Sequence, residues 1–163
     1  PTIWGPRHPD PKRNGCPDVY IGPDQVVVFD KILFKVGSAE ILPESNPILD
    51  KVAKALNDHL ELTLVEVAGH ADERGGEQMN LTLTQARVDS VMSALIARQV
   101  DQKRLRAKGY GFYCPRDPEH NEEAWSKNRR VEFLIVKTSS GPTNVPLGCD
   151  VATQHGVKPA PVP

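Results

Sequence analysis

The seven residues GHADERG, from Gly69 to Gly75, follow the apolar run LTLVEVA and set a histidine, two acids and an arginine in a glycine-flanked turn. Three chemistries fit those residue types. A metal centre would use His70 and Asp72, but zinc takes about three or four protein ligands. No second histidine stands at helical ligand spacing, and His59 and His120 are remote in sequence. An acyl-transfer enzyme needs a nucleophile with a base in reach, and the chain has no GxSxG elbow and no Ser or Cys beside His70. A hydrolase with paired carboxylates would draw on Asp72 with Glu73 or Glu77, although adjacent acids on a turn are commonly only solvated.

A binding pocket asks for less. Asp72 lies just past an apolar strand, and Arg87 lies in the first turns of the helix that follows. Ends of strands in open α/β sheets are where ligands sit. A carboxylate that grips an ammonium, beside a guanidinium that grips a carboxylate bidentately, suits a zwitterion. Each such charged hydrogen bond contributes roughly 1.5–3 kcal/mol. Asn80 would hold the loop or add an amide contact. The plainer alternative is an Asp72–Arg87 ion pair that only pins the loop.

The elements that must position these residues alternate along the chain. VVVF (26–29), running on towards Phe34, reads as a buried strand. SNPILDKVAKALNDH carries Asn46 as N-cap, Pro47 at the first helical position, and Leu49, Val52, Ala53, Leu56 and Leu60 as a helical stripe. LTLVEVA is apolar on both faces, so it reads as a central strand parallel to the first. Val88, Val91, Met92 and Leu95 repeat a core stripe on a second helix, which Thr82 with Gln85, or Thr84, would cap. RLRAKGYG reads as a short strand or strand-like turn, and NRRVEFLIVKT closes the core with Val131, Phe133 and Ile135 on one face. The order βαβαβ with short connections predicts an α/β (α+β) two-layer sandwich, its helices packed on one face of a mixed sheet.

Bulk properties set the limits. The chain has 163 residues, 39% hydrophobic and 25% charged, the size of one domain with tails. Its formal net charge of -1 argues against a nucleic-acid binder, which carries a basic excess. No apolar run approaches the roughly 20 residues of a membrane helix. The absence of an initiator Met or a signal-like start suggests an excised piece whose membrane attachment, if any, lies in segments outside it. Of 15 prolines, six lie in residues 1–23 and five in residues 142–163. Residues 1–25 and 139–163 are therefore expected as irregular tails around a domain at 26–138. Cys16, Cys114 and Cys149 lack a CxxC pattern. Two of them would pair in an oxidising compartment, and Cys114 with Cys149, flanking the last predicted strand, is the favoured pair.

GHADERG, then Asn80, LTQAR at 83–87, GYG at 109–111 and NRRVEF at 128–133 together resemble the OmpA-like C-terminal domain family. That family includes peptidoglycan-associated lipoproteins, which the GHADERG form resembles most, and the periplasmic part of MotB. The resemblance covers roughly residues 28–136. It implies a non-enzymatic module, without cofactor or metal, that binds the diaminopimelate stem peptide of peptidoglycan. It would work on the periplasmic side of a bacterial outer membrane, anchoring an outer-membrane protein to the wall, with other envelope proteins as further partners. Carried over, the resemblance gives Asp72 the ligand's ammonium and Arg87 its carboxylate, with Asn80, Leu83 and Thr84 lining the pocket. Arg74 would touch the ligand, and Phe34 and Lys35 would contact it from the first loop.

Of the two arginines in NRRV, strand alternation favours Arg130 over Arg129. His70 would be a structural hydrogen-bonding residue. Lys35 stands where many members carry an acid, CPRDPEHNEEAW (114–125) replaces a different family loop, and NGCPD (14–18) resembles the exit from calcium-binding repeats. The first two departures keep open an alternative in which the domain is an envelope assembly scaffold that does not bind peptidoglycan.

Overall fold

The computed structural model describes residues 19–163, so Cys16 and the NGCPD segment lie outside the described residues. Strands β1 (Val19–Ile21) and β2 (Gln25–Val28) form an antiparallel hairpin. β2 pairs antiparallel with β5 (Arg130–Thr138), and β5 with β3 (Leu62–His70). β3 pairs in parallel with β4 (Leu105–Gly109), giving the order β1-β2-β5-β3-β4, with the short β6 (Gly141–Pro142) against β5. The fold is thus α+β, an open mixed sheet with helices. β3 is interior and runs in the same sense as β2, but β5 lies between them.

The period of two in a strand decides what each face meets. Val65, Val67, Phe133 and Ile135 share a core with α1 (Asn46–Asp58) and α2 (Glu77–Ala97). Those helices contribute Leu49, Val52 and Leu56 from α1, and Val88, Val91 and Leu95 from α2, all nearly or fully buried. Each such side chain stabilises the fold by roughly 1.5–3 kcal/mol. Ala68 and Leu134 face the other way, into a second cluster with Tyr110, Tyr113, Ala152 and Val157.

The second face corrects the expectation of irregular tails. Residues 19–25 supply β1 and the start of β2, and residues 139–163 supply β6 and a helix, α4 (Asp150–Gln154). Glu66, fully buried on β3, explains the cover. Its carboxylate accepts from Arg106 Nε at 2.9 Å and from the Tyr110 hydroxyl at 2.8 Å. Arg106 Nη1 in turn donates to the carbonyl of Pro161. A buried charge without partners is strongly disfavoured, and the C-terminal segment packs over one whose two oxygens each accept a hydrogen bond. Burial and the Glu66 charge push the Tyr110 hydroxyl well above its ordinary range, which keeps it a proton donor. Cys114 and Cys149 are bonded, their Cα atoms 5.8 Å apart, which ties this segment to the loop after β4.

Four boundaries fall elsewhere than expected. The first strand stops at Val28, and Phe34 instead bridges Ile41 across a small antiparallel loop. Ser45, not Asn46, occupies the N-cap position of α1, but its hydroxyl accepts from Leu33 N at 2.7 Å, pinning that loop. α1 ends at Asp58, so Leu60 leaves the stripe and is 70% exposed. α2 starts at Glu77 after Gly76, which puts Thr82 and Thr84 inside the helix. The cause is the pair Gly75–Gly76, with Gly75 at φ +88, where glycine is favoured.

GYG at 109–111 fixes how closely α2 lies on the sheet. A Cβ on Gly109 would stand 2.3 Å from Gln85 N, so α2 backbone rests on β4 backbone. There the Gln85 side chain donates to Ala107 O and accepts from Gly109 N, standing in for a neighbouring strand along β4. Gly109→Ala should therefore destabilise the domain by at least about 2 kcal/mol, because helix backbone cannot move aside as a side chain would; chemical denaturation reads this. Reducing the Cys114–Cys149 bond, which closes a separation of 35 residues, should lower the unfolding free energy by about 3–4 kcal/mol, measured by denaturation with and without dithiothreitol.

Candidate functional site

β3 delivers the GHADERG turn to one end of the sheet. His70 ends the strand and is 7% exposed; its Nε2 lies 3.1 Å from Glu132 Oε1, and its ring stacks on Tyr110. Burial lowers the pKa of His70, against the opposing pull of Glu132. Burial would raise Glu132, but hydrogen bonding to His70 and the Arg130 charge hold it at about 2. His70 therefore buttresses the turn.

Asp72 is 6% exposed and is met from both sides. Arg74 supplies its backbone N at 2.9 Å and Nε at 3.0 Å to Oδ1, and Nη2 at 2.9 Å to Oδ2. Arg129 Nη1 donates to Oδ2 at 2.9 Å. Burial pushes the carboxyl up, yet the hydrogen bonds from Arg74 and Arg129 outweigh it and hold Asp72 at about 2.

The 114–125 segment supplies what surrounds this carboxylate. It leads into α3 (Glu122–Asn128), whose N-cap Asn121 accepts from Ala124 N, and Arg129 caps its far end. Arg129 Nη2 donates to Glu122 at 2.7 Å. The Arg74 guanidinium lies 4.2 Å from the Trp125 ring centre and 3.9 Å from Glu122. Trp125 Nε1 donates to Glu73 at 2.9 Å, and His120 Nδ1 lies 2.7 Å from the same carboxylate. That contact raises the His120 pKa. α3 is thereby latched to the turn.

Arg87 extends from α2 to the first loop. Its Nε donates to Ser38 O at 2.8 Å, and its guanidinium lies 4.9 Å from the Phe34 ring centre. It pairs with no carboxylate among the described residues. Burial, then the Arg129 charge, lowers its pKa. Arg87 and Asp72 line the same cleft, of about 1070 Å³, but they do not pair with each other. The simple loop-pinning ion pair is replaced by one between Asp72 and two other arginines.

The remaining expected residues divide. Phe34, Leu83, Thr84 and Asn80 line that cleft. Asn80 also holds the turn, its amide donating to Arg74 O and Gly76 O, and Thr84 accepts from Gly111 N. Lys35 is exposed and lies outside the cleft lining, while its backbone N donates to Glu40 O. Arg130 and Arg129 both line the cleft, but the one that meets Asp72 is Arg129. The alternation argument favoured Arg130 because it treated both as strand residues. β5 begins at Arg130, which shares the face of Glu132 and donates to Cys114 O, whereas Arg129 stands outside the pleat. Among residues not anticipated are Ser38, Glu122 and Trp125. The Asn121 cap ahead of two acids was the available sign of a helix there.

A titration follows from these contacts. The Asp72 carboxyl should titrate at about 2 by NMR, and Arg129→Gln should move it upwards towards an ordinary aspartate value of roughly 3.9. Since the folded pKa lies below the unfolded one, this stabilisation is complete above about pH 4 and is lost as pH falls through about 2. The variant should lose less stability on that descent; an unmoved midpoint would show that Arg129 contributes nothing.

The OmpA family matches residues 33–129. The probable lipoprotein YiaD of Escherichia coli is 37% identical over 106 residues, 65% of this chain and 48% of that protein. The peptidoglycan-associated lipoprotein of Pseudomonas aeruginosa is 34% identical over 61% of this chain and 58% of its own length. The chain thus spans about half the length of these curated relatives. Among solved structures, the cell wall anchor of the T6SS from Pseudomonas aeruginosa has TM-score 0.60 and 30% identity, covering 72% of this chain and 85% of that one. The peptidoglycan-associated lipoprotein of Burkholderia pseudomallei has TM-score 0.57 and 28% identity, covering 63% and 86%.

Proposed function

The chain belongs to the OmpA family, and from that premise we propose that it binds peptidoglycan without turning it over. Its ligand is the diaminopimelate residue of the stem peptide. The ammonium of that residue goes to Asp72 and its carboxylate to Arg87, with Asn80, Leu83 and Thr84 as walls. The supporting observation is the Arg87 guanidinium, which is oriented by Ser38 O and the Phe34 ring and has no carboxylate partner among the described residues. A half-buried cation in that condition is a prepared seat for an anion.

Names of relatives point the same way, since two are peptidoglycan-associated lipoproteins and one is a cell wall anchor. We place the domain on the periplasmic side of the outer membrane, where it anchors a larger envelope protein to the wall. Many stems on one sacculus then supply avidity, so a single pocket can bind weakly. The alternative of an assembly scaffold drew on Lys35 and on the 112–124 loop. Lys35 is exposed and outside the cleft lining, although Phe34 and Val36 beside it belong to that lining, and the loop supplies Arg116 and Glu122 to it.

Calorimetric titration with a diaminopimelate-type muropeptide tests the reading. Arg87→Ala should weaken binding about tenfold to a hundredfold, the loss of one charged hydrogen-bonded contact. A lysine-type stem, which lacks the second carboxylate, should bind wild type with a similar deficit. Equal affinity of wild type and Arg87→Ala would refute the assignment and favour the scaffold.

A further inference from the structure

An ionised carboxylate accepts about four hydrogen bonds. Asp72 already has four: three from Arg74 and one from Arg129, all between 2.9 and 3.0 Å. An arriving ammonium therefore finds no free lone pair on Asp72, and one resident donor must leave. The Arg74 backbone N–H is fixed by the turn. Arg129 is held at both ends, one nitrogen on Asp72 and the other on Glu122 at 2.7 Å. The Arg74 side chain is half exposed and already lies against the Trp125 ring and 3.9 Å from the Glu122 carboxylate, so it can release Asp72 without losing those partners. Trp125 is itself fixed, because its indole N–H donates to Glu73.

We propose that the Arg74 side chain is a built-in competitor for the ammonium seat on Asp72, released only to a ligand that also engages Arg87. This rests on the peptidoglycan reading above and adds a specificity device to it. A rival tethered two residues away acts at an effective concentration on the order of millimolar or more. An amine with no second anchor cannot outcompete it. A ligand that gains Arg87, which has no carboxylate partner among the described residues, as well as Asp72 can, and Arg74 then gives up Asp72 and closes on Glu122 while staying on Trp125. The arrangement disfavours simple diamines and lysine-type stems without any steric barrier.

The test uses the domain with three probes: a diaminopimelate-type stem peptide, a lysine-type stem peptide and 1,5-diaminopentane. Arg74→Ala should bind the first roughly threefold to tenfold more tightly than wild type, as removal of an exposed ion-pair competitor predicts. Arg74→Ala should also bind the other two more tightly than wild type does, and by a larger factor than the first. Unchanged or weaker binding of the first probe by the variant overturns the competitor role and leaves the peptidoglycan reading intact. No binding of it by wild type or variant overturns both. Should Arg74→Ala not fold, the arginine Nε resonances of wild type give the answer. On saturation with the first probe, the Arg74 signal should move and the Arg129 signal should stay; a stationary Arg74 signal refutes the exchange.

Discussion

A buried carboxylate that is fully hydrogen-bonded organises one end of this molecule. Asp72 sits where β3 hands over to the glycine turn, and no other acid could serve there without the same set of donors. Its partners come from two places: its own turn, through Arg74, and the C-terminal cap of α3, through Arg129 just ahead of β5. Desolvation alone would drive the group towards its neutral form, and the guanidiniums reverse that outcome. The loop around 114–125 is thereby recruited to the site by charge. Trp125, Glu73 and His120 add the contacts that keep it there.

The opposite face of the sheet repeats the logic with a different acid. Glu66 points away from the helices, and the fold answers with Arg106, the Tyr110 hydroxyl and a C-terminal cover secured by a disulfide. Tyr110 joins the two centres, since its ring also stacks on His70, which braces Glu132 beneath the cleft. The cleft floor is therefore anchored to the second core.

Most of the core was legible from periodicity. The stripes on α1 and α2 and the alternation in β5 fix which residues face which layer, because burial dominates their placement. What escaped depended on long-range polar contacts. The Ser45 hydroxyl accepts from Leu33 N instead of capping α1 in the usual way, and Gln85 turns to β4 instead of forming a capping box. Arg129 was passed over because alternation is a rule of strands, and that residue belongs to the end of a helix. The proline-rich C-terminal stretch looked like a tail because composition carries no trace of the buried Glu66 it covers.

One small feature bears on how such modules behave when crowded. β4 ends the sheet, and an unpaired strand edge is a template for joining another chain. The Gln85 amide already occupies the hydrogen-bonding groups of Ala107 and Gly109 on that edge. Copies packed side by side at high local density thus meet an edge that is closed at this point, and they can stay separate particles without spending surface charge to repel one another.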